Sequence, residues 1–119
     1  MKTSTDPRHK KRETRVSSMF ASSFISGFTT PVDSQIAAAA PDWPLKDINR
    51  IDLAILRVAT DELLNSNTPE KVVIDEAVEI AKKLGAENSA SFINGVLGTI
   101  LKNKKIWLLN SLLSSPLSI

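Results

Sequence analysis

Apolar residues recur every three or four positions along most of the chain, and no segment alternates convincingly between apolar and polar residues. The clearest helical stripes fall in residues 46–64, 69–84 and 89–102. The first of these is apolar on several sides, which is typical of a central helix that neighbouring helices cover. The pattern therefore predicts an all-α fold, a compact bundle of about five helices.

Prolines and glycines divide the N-terminal part of the chain. Asp6 followed by Pro7 is typical of a helix start, with Pro7 at the first helical position. This helix is predicted to run to about Gly27. A short helical piece is predicted in residues 32–40, and Pro41 ends it.

Turn residues also separate the C-terminal helices. Pro69 is expected in the first turn of one helix, and Gly85 is expected to end that helix in the left-handed conformation. Asn88 or Ser89 is predicted to cap the next helix. The apolar residues 104–119 are expected either to extend that helix or to form a separate short one.

The composition argues against an enzyme. The 119-residue chain contains no cysteine and a single histidine, His9, so thiol catalysis, disulfides and a histidine-based metal cage are not expected. Asp75, Glu76 and Glu79 are interpreted as a solvated helix face and not as a catalytic pair. No catalytic residue, cofactor or metal site is predicted, and a cytoplasmic location is expected.

Charge is distributed unevenly along the sequence. Residues 1–15 contain six Lys or Arg and two acidic residues, whereas residues 16–100 contain six basic and eleven acidic residues. The last nineteen residues add three lysines and no acid. A basic head on an acidic body predicts a local contact with a polyanion. The apolar run near the C-terminus is too short to span a bilayer, so no membrane partner is expected.

Two long stretches resemble a known family. "DWPLKDINRIDLAILRVATDELL" and "PEKVVIDEAVEIAKKLGAENSASFINGVLGTI" closely resemble the C-terminal half of the NusB family of bacterial transcription antitermination factors. The resemblance runs without large gaps from about Pro41 to Lys102. More loosely, "RHKKRETRVSSMF" is similar to the arginine-rich first helix of that family.

The resemblance implies an all-helical, NusB-like protein without enzymatic activity. It also implies two partners: NusE, a ribosomal protein, and the single-stranded boxA element of nascent RNA. Together they would act in the RNA polymerase antitermination complex at ribosomal RNA operons.

The resemblance also assigns expected site residues. The RNA-binding residues that it implies are Arg8, Lys10, Lys11, Arg12, Asn88, Ser89 and Phe92. These residue types suit single-stranded RNA, which needs cations for phosphates, amides or hydroxyls for base edges, and an aromatic face for stacking. The family commonly has Asp where Asn88 stands, and we hypothesise that the neutral amide strengthens RNA binding.

A separate surface is expected for the protein partner. Phe20 matches a family aromatic on the first helix, and Asp52 matches an acidic residue of the NusE interface. An acidic receiving surface suits a basic ribosomal protein. The first helix and residues 85–92 are expected to form one polyanion-binding face beside it.

The sequence departs from the family pattern in two regions. Most of the material that the family has between residues 28 and 32 is absent, which predicts a reduced N-terminal subdomain. The apolar tail has no family counterpart. We therefore expect one NusB-like domain over residues 1–119, divided into a basic first helix (1–30), a connector (31–45), a helical core (46–103) and the tail (104–119).

Two hypotheses address the tail. Either residues 106–113 fold back over core that the reduced subdomain exposes, or self-association into a homodimer covers it.

Other functions remain open at this point. NusB-like domains also occur in some ribosomal RNA methyltransferases, where they assist RNA binding, so an accessory domain of that type is one alternative. A protein-interaction module that has lost RNA binding is another. Phe92 fits simple core packing as well as base contact, and the basic N-terminus fits a solvated tail.

Overall fold

A computed structural model describes residues 6–114 of the chain. Within them it contains five α-helices: α1 (Pro7–Ser22), α2 (Asp33–Ala39), α3 (Arg50–Asn65), α4 (Glu70–Leu84) and α5 (Ser89–Leu113). A single 3-10 turn, Leu45–Asp47, precedes α3. The described residues include no β-strand. The predicted all-α fold of about five helices is confirmed.

Helix α3 forms the centre of the molecule. Every residue from 52 to 60 is buried, and helices α1, α2, α4 and α5 all pack against α3. The largest fully buried apolar side chains come from all five helices: Val16, Ile36, Ile55, Leu56, Val73, Ile80, Ile93 and Leu97. The broad apolar surface of α3 is thus explained by neighbours on several sides.

Helix α1 begins where the sequence predicts but ends earlier. The Asp6 side chain accepts a hydrogen bond from the Arg8 backbone N–H at 2.8 Å, which caps the helix start. The predicted end near Gly27 is wrong, because tight turns follow directly after Ser22. The Ser23 hydroxyl donates to the Phe20 carbonyl at 2.6 Å, and Gly27 has a φ of +77°.

Gly85 ends α4 for a different reason than predicted. Its φ of −93° and ψ of −171° are extended, so the expected left-handed conformation is wrong. A Cβ at this position would lie 2.6 Å from the Ser89 Cβ and Oγ atoms and 2.8 Å from the Ala81 carbonyl oxygen. Glycine is therefore required by the close approach of Ser89 and not by a positive φ.

The tail continues α5 as far as Leu113. The extended-helix interpretation is confirmed, whereas the hypothesis that residues 106–113 fold back over the core is wrong. No proline or glycine interrupts residues 99–113, so the backbone hydrogen bonds of the helix continue past the body of the protein. Residues 115–119 lie outside the described residues. Within residues 6–114, no helix is long and apolar enough to cross a membrane.

Candidate nucleic-acid interface

Helix α1 presents cations on its outer face. Val16 and His9 are buried against the body, whereas Arg8, Lys10 and Lys11 are exposed. This division follows the helical spacing, since residues 9, 12 and 16 share one side. Three of the four predicted phosphate-binding residues of α1 are thus available to a ligand.

Arg12, the fourth, is held inside the molecule. Its guanidinium donates to both Glu62 oxygens, with Nη2–Oε2 at 2.6 Å and Nε–Oε1 at 3.0 Å, and to Glu76 at 3.2 Å. These hydrogen bonds lower the pKa of Glu62 and raise that of Arg12. Both carboxylates are buried, so Arg12 serves as an anchor between α1, α3 and α4.

His9 extends the same ionic network. Its Nδ1 lies 3.2 Å from Glu76 and its Nε2 lies 3.3 Å from Glu13. Glu13 also accepts from Lys83 at 2.9 Å, and that hydrogen bond lowers the pKa of Glu13. The network therefore joins α1 to the end of α4.

Residues 85–92, which we call the elbow, connect α4 to α5. The Ala86 backbone N–H donates to the Ser89 hydroxyl at 2.8 Å, and Ser89 is completely buried. Asn88 is exposed at the N-cap position, but its side chain makes no capping hydrogen bond. The predicted cap therefore needs correction: Ser89 organises the turn, and the Asn88 amide faces outward.

A shallow pocket of about 170 Å³ lies beside the elbow, lined in part by Asn49, Asn88, Phe92 and Trp43. The rings of Trp43 and Phe92 meet edge to face with centroids 6.5 Å apart. Phe92 is partly buried and packs against the core, while Trp43 is half exposed. The sequence analysis missed Trp43, although a tryptophan inside the proline-rich "PDWP" is a usable signal for an exposed aromatic.

Asp52 lies beneath this pocket and is only 6% exposed. Burial raises its pKa, against the opposing effect of a hydrogen bond from the Ser89 side chain. Its Oδ1 atom has no hydrogen-bond partner among the described residues. In this conformation Asp52 supports the elbow and offers little surface to a protein partner.

Phe20, the other predicted partner residue, lies at a partly exposed aromatic cluster. Its ring meets that of Phe24 edge to face at 5.1 Å, and the Arg50 guanidinium lies 4.3 Å above the Phe24 ring. Arg50 also donates to the Ser23 carbonyl at 2.7 Å. Phe24 and Ile25 remain largely exposed, so an apolar patch surrounds Phe20.

The structure brings only some of the predicted site residues together. Asn88, Phe92 and Asp52 share one pocket, whereas the exposed cations of α1 lie on another helix. The Glu13–Lys83 pair links α1 to the residues just before the elbow. That α1 and the elbow form one continuous binding face stays a prediction. No cluster of His, Cys, Asp or Glu in residues 6–114 is arranged to hold a metal ion.

The sequence profile of the NusB family matches residues 10–102, which include most of α1 and the whole elbow. The chain belongs to the NusB family. It is 49% identical over 73 residues to the transcription antitermination protein NusB of Chloroflexus aggregans, covering 59% of this chain and 49% of the relative. The protein of the same name from Macrococcus caseolyticus is 42% identical over 89 residues, covering 72% and 68%.

The NusB of Clostridium kluyveri is 52% identical over 66 residues, covering 55% of this chain and 42% of the relative. The chain thus spans between 42% and 68% of the length of these NusB relatives. The family match ends at residue 102, inside α5. The packed half of α5 is therefore NusB-like, and its exposed half lies beyond the match.

Proposed function

We propose that this NusB family member is a transcription antitermination factor without enzymatic activity. It would bind boxA RNA together with the ribosomal protein NusE, within the RNA polymerase antitermination complex at ribosomal RNA operons. The observation that carries this proposal is that the family match, which begins at Lys10, covers most of the basic helix α1 and the whole elbow. The charge and aromatic content of these two regions suits single-stranded RNA.

Phosphate contacts are assigned to the outer face of α1. Lys10 and Lys11 are exposed, and Arg8 is only loosely paired with Asp6 at 3.7 Å. Arg12 is excluded from direct contact because its guanidinium is committed to Glu62 and Glu76. Its role in RNA binding is to fix the helix that carries the other three cations.

Base contacts are assigned to the elbow pocket. Phe92 and Trp43 provide aromatic surface, and the outward amide of Asn88 is suited to a base edge. Ser89 is buried and acts indirectly, by holding the turn through the Ala86 N–H. Base–aromatic stacking of this kind contributes roughly 1–3 kcal/mol per base.

NusE is assigned to the aromatic patch at the end of α1. Phe20, Phe24 and Ile25 provide an apolar contact surface, with Arg50 packed on the Phe24 ring. Asp52 is buried and is not assigned to this contact; it supports the elbow instead.

A titration of labelled boxA RNA, with and without NusE, tests the proposal against a scrambled RNA at about 50 and 200 mM salt. The chain should prefer boxA, and NusE should strengthen that binding. The K10A/K11A variant should lower the salt slope by about 1.4, because each phosphate contact contributes about 0.7 on single strands. The control K71A/K102A removes two exposed lysines elsewhere and should retain the slope.

The outcomes separate the alternative functions. NusE binding without any gain in RNA affinity would indicate a protein-interaction module and overturn the RNA proposal. RNA binding that ignores both the boxA sequence and NusE would instead favour an accessory domain like those of ribosomal RNA methyltransferases.

Asn88 gives a finer test of the same site. The exposed amide places no negative charge at the entrance of α5, where a phosphate would meet free backbone N–H groups. N88D should therefore weaken boxA binding at low salt. Unchanged affinity in that variant would remove Asn88 from the proposed interface.

A further inference from the structure

The exposed end of α5 is an apolar surface that the proposed function does not use. Six large side chains there are each 45–75% exposed: Ile106, Trp107, Leu108, Leu109, Leu112 and Leu113. They lie on all sides of the helix, and Leu109, Leu112 and Leu113 share one side at its far end. We call residues 106–113 the tip.

A groove of about 510 Å³ runs beside the base of the tip, between α2, the end of α3 and α5. Its α2 wall is formed by Gln35 and Ala38, and Trp107 and Leu108 form the wall on α5. The neighbouring Ala37 is exposed as well, so the α2 side presents small residues. Small side chains allow another helix to approach closely and leave room for bulky residues.

We propose that two copies of this chain pair through these features, with the far end of each tip, Leu109, Leu112 and Leu113, seated in the groove of the other copy. The chain supplies both the bulky apolar side chains and the small-walled groove that accepts them. A two-fold axis would use the pair twice, which closes the assembly at a dimer.

The charges near the tip favour an antiparallel pair of α5 helices. Residues 106–114 carry no charge, and the three lysines of this region, Lys102, Lys104 and Lys105, all precede the tip. In an antiparallel pair, each set of lysines would lie beside the uncharged tip of the other copy. The eight-residue tip is about 12 Å long. Because this length exceeds the screening length of ~8–10 Å at physiological salt, the lysines of the two copies would repel each other only weakly.

The same lysines argue against a lipid surface as the occupant. Lys104 donates to the Leu63 carbonyl at 2.9 Å and lies 3.8 Å from Glu70, while Lys105 lies 3.9 Å from the other Glu70 oxygen. Lys104 is thus turned toward the body and away from any anionic headgroup, whereas Lys105 is only loosely paired. The contacts of Lys104 also fix the base of the tip, so less ordering is needed when a protein partner binds.

Sedimentation of the full chain over a range of micromolar concentrations tests the proposal. The unmodified chain should form dimers. L112K in the tip and A38E in the groove should each weaken dimerisation at least tenfold, because each places a charge in the apolar contact between tip and groove. V72K places a lysine at an exposed apolar residue of α4 outside this region, so it should dimerise like the unmodified chain.

Mixing the two variants tests the reciprocal geometry. In a mixed dimer the L112K tip meets the A38E groove, with opposite charges, and the other tip and groove are unmodified. The L112K and A38E mixture should therefore form dimers that neither variant forms alone. A tip-to-tip pairing would not be restored by mixing, and a mixture that stays monomeric would overturn the proposal.

Two further results would also overturn it. One is an unmodified chain that stays monomeric at all concentrations tested. The other is a monomeric chain that sediments with phosphatidylserine vesicles and loses this binding in L112K, which would assign the tip to a lipid surface. Thermal melting of each variant separates loss of pairing from loss of folding, and Leu112→Ser replaces L112K if that variant melts early.

Discussion

Helix α1 and the end of α5 are both attached to the same core, but by opposite chemistry. Helix α1 docks through a buried ionic network and presents cations to solvent. The end of α5 is fixed at its base by Lys104 and presents apolar side chains to solvent. The polarity of a segment thus does not by itself tell which of its residues face the core.

The difference has an energetic reason. The buried guanidinium of Arg12 is paired with carboxylates of α3 and α4, so burying these charges leaves few groups without a partner. The apolar tip of α5 has no core to enter, because the helix extends past the body of the protein. In the proposed dimer its burial comes from the second copy, whereas the attachment of α1 is complete within the described residues.

Breaking the α1 network should have the largest effect on stability. R12A leaves the buried carboxylates of Glu62 and Glu76 without the guanidinium, which should cost about 3–5 kcal/mol. Chemical denaturation measures this loss. The matched control R15A removes a half-exposed pair with Asp61 and should cost only about 0–1 kcal/mol. Equal losses in the two variants would contradict the anchoring role of Arg12.

Acid should loosen the attachment of α1 in the same way. Hydrogen bonds from Arg12 and Lys83 hold the pKa values of Glu62 and Glu13 below their usual 4.5. Their stabilisation is therefore present above about pH 4.5 and is lost as pH falls through the lowered values. Asp52 has the opposite effect on stability. Burial raises its pKa, and its protonation at low pH removes the cost of burying a charged carboxylate.

The pKa values of Asp33 and Asp6 are lowered as well, so four carboxylates oppose one, and the free energy of unfolding should fall between about pH 5 and pH 3. Denaturation curves at several pH values measure this, with R12A as the control. A variant without Arg12 should show a flatter dependence, and an identical dependence would contradict the assignment to Glu62.

Loosening the base of the tip should have a smaller effect. K104M removes one hydrogen bond to the Leu63 carbonyl and a long contact with Glu70, which should cost about 1 kcal/mol. The Met side chain retains most of the apolar stem, so packing is conserved. Hydrogen exchange of α5 measures the change, which should be confined to residues after about 100. A loss of stability as large as that in R12A would contradict the smaller effect expected at the base of the tip.

Removing the tip should have the smallest effect. Deleting residues 106–119 removes side chains that are largely exposed in the described part of the tail, so the melting temperature of dilute protein should change by only a few degrees. A large loss in dilute protein would show that the tip contributes to the core after all.

Local signals in the sequence predicted most of the fold. The apolar stripes placed α3, α4 and the packed half of α5, because helices around one core must turn an apolar face inward. Asp6 and Pro7 placed the start of α1, since capping depends only on near neighbours. The early end of α1 was missed because its turns depend on side-chain hydrogen bonds such as that of Ser23.

The candidate site was predicted only in part. Residue types and spacing indicated a basic helix, but they did not show that Arg12 points inward to Glu62, which lies 50 residues away. Likewise Asp52 and Ser89 have polar side chains, and only the packing at the elbow shows that they are buried. Such pairings across the fold leave no local pattern in the chain.

The sequence by itself determined the helices, the family and the basic character of α1, because these follow from residue type and near-neighbour spacing. Only the tertiary structure decided which cations are free, why Gly85 must be glycine and where the apolar tail goes. Each of these depends on atoms brought together from distant parts of the chain. Burial of a side chain depends on what folds against it, and that is decided in three dimensions.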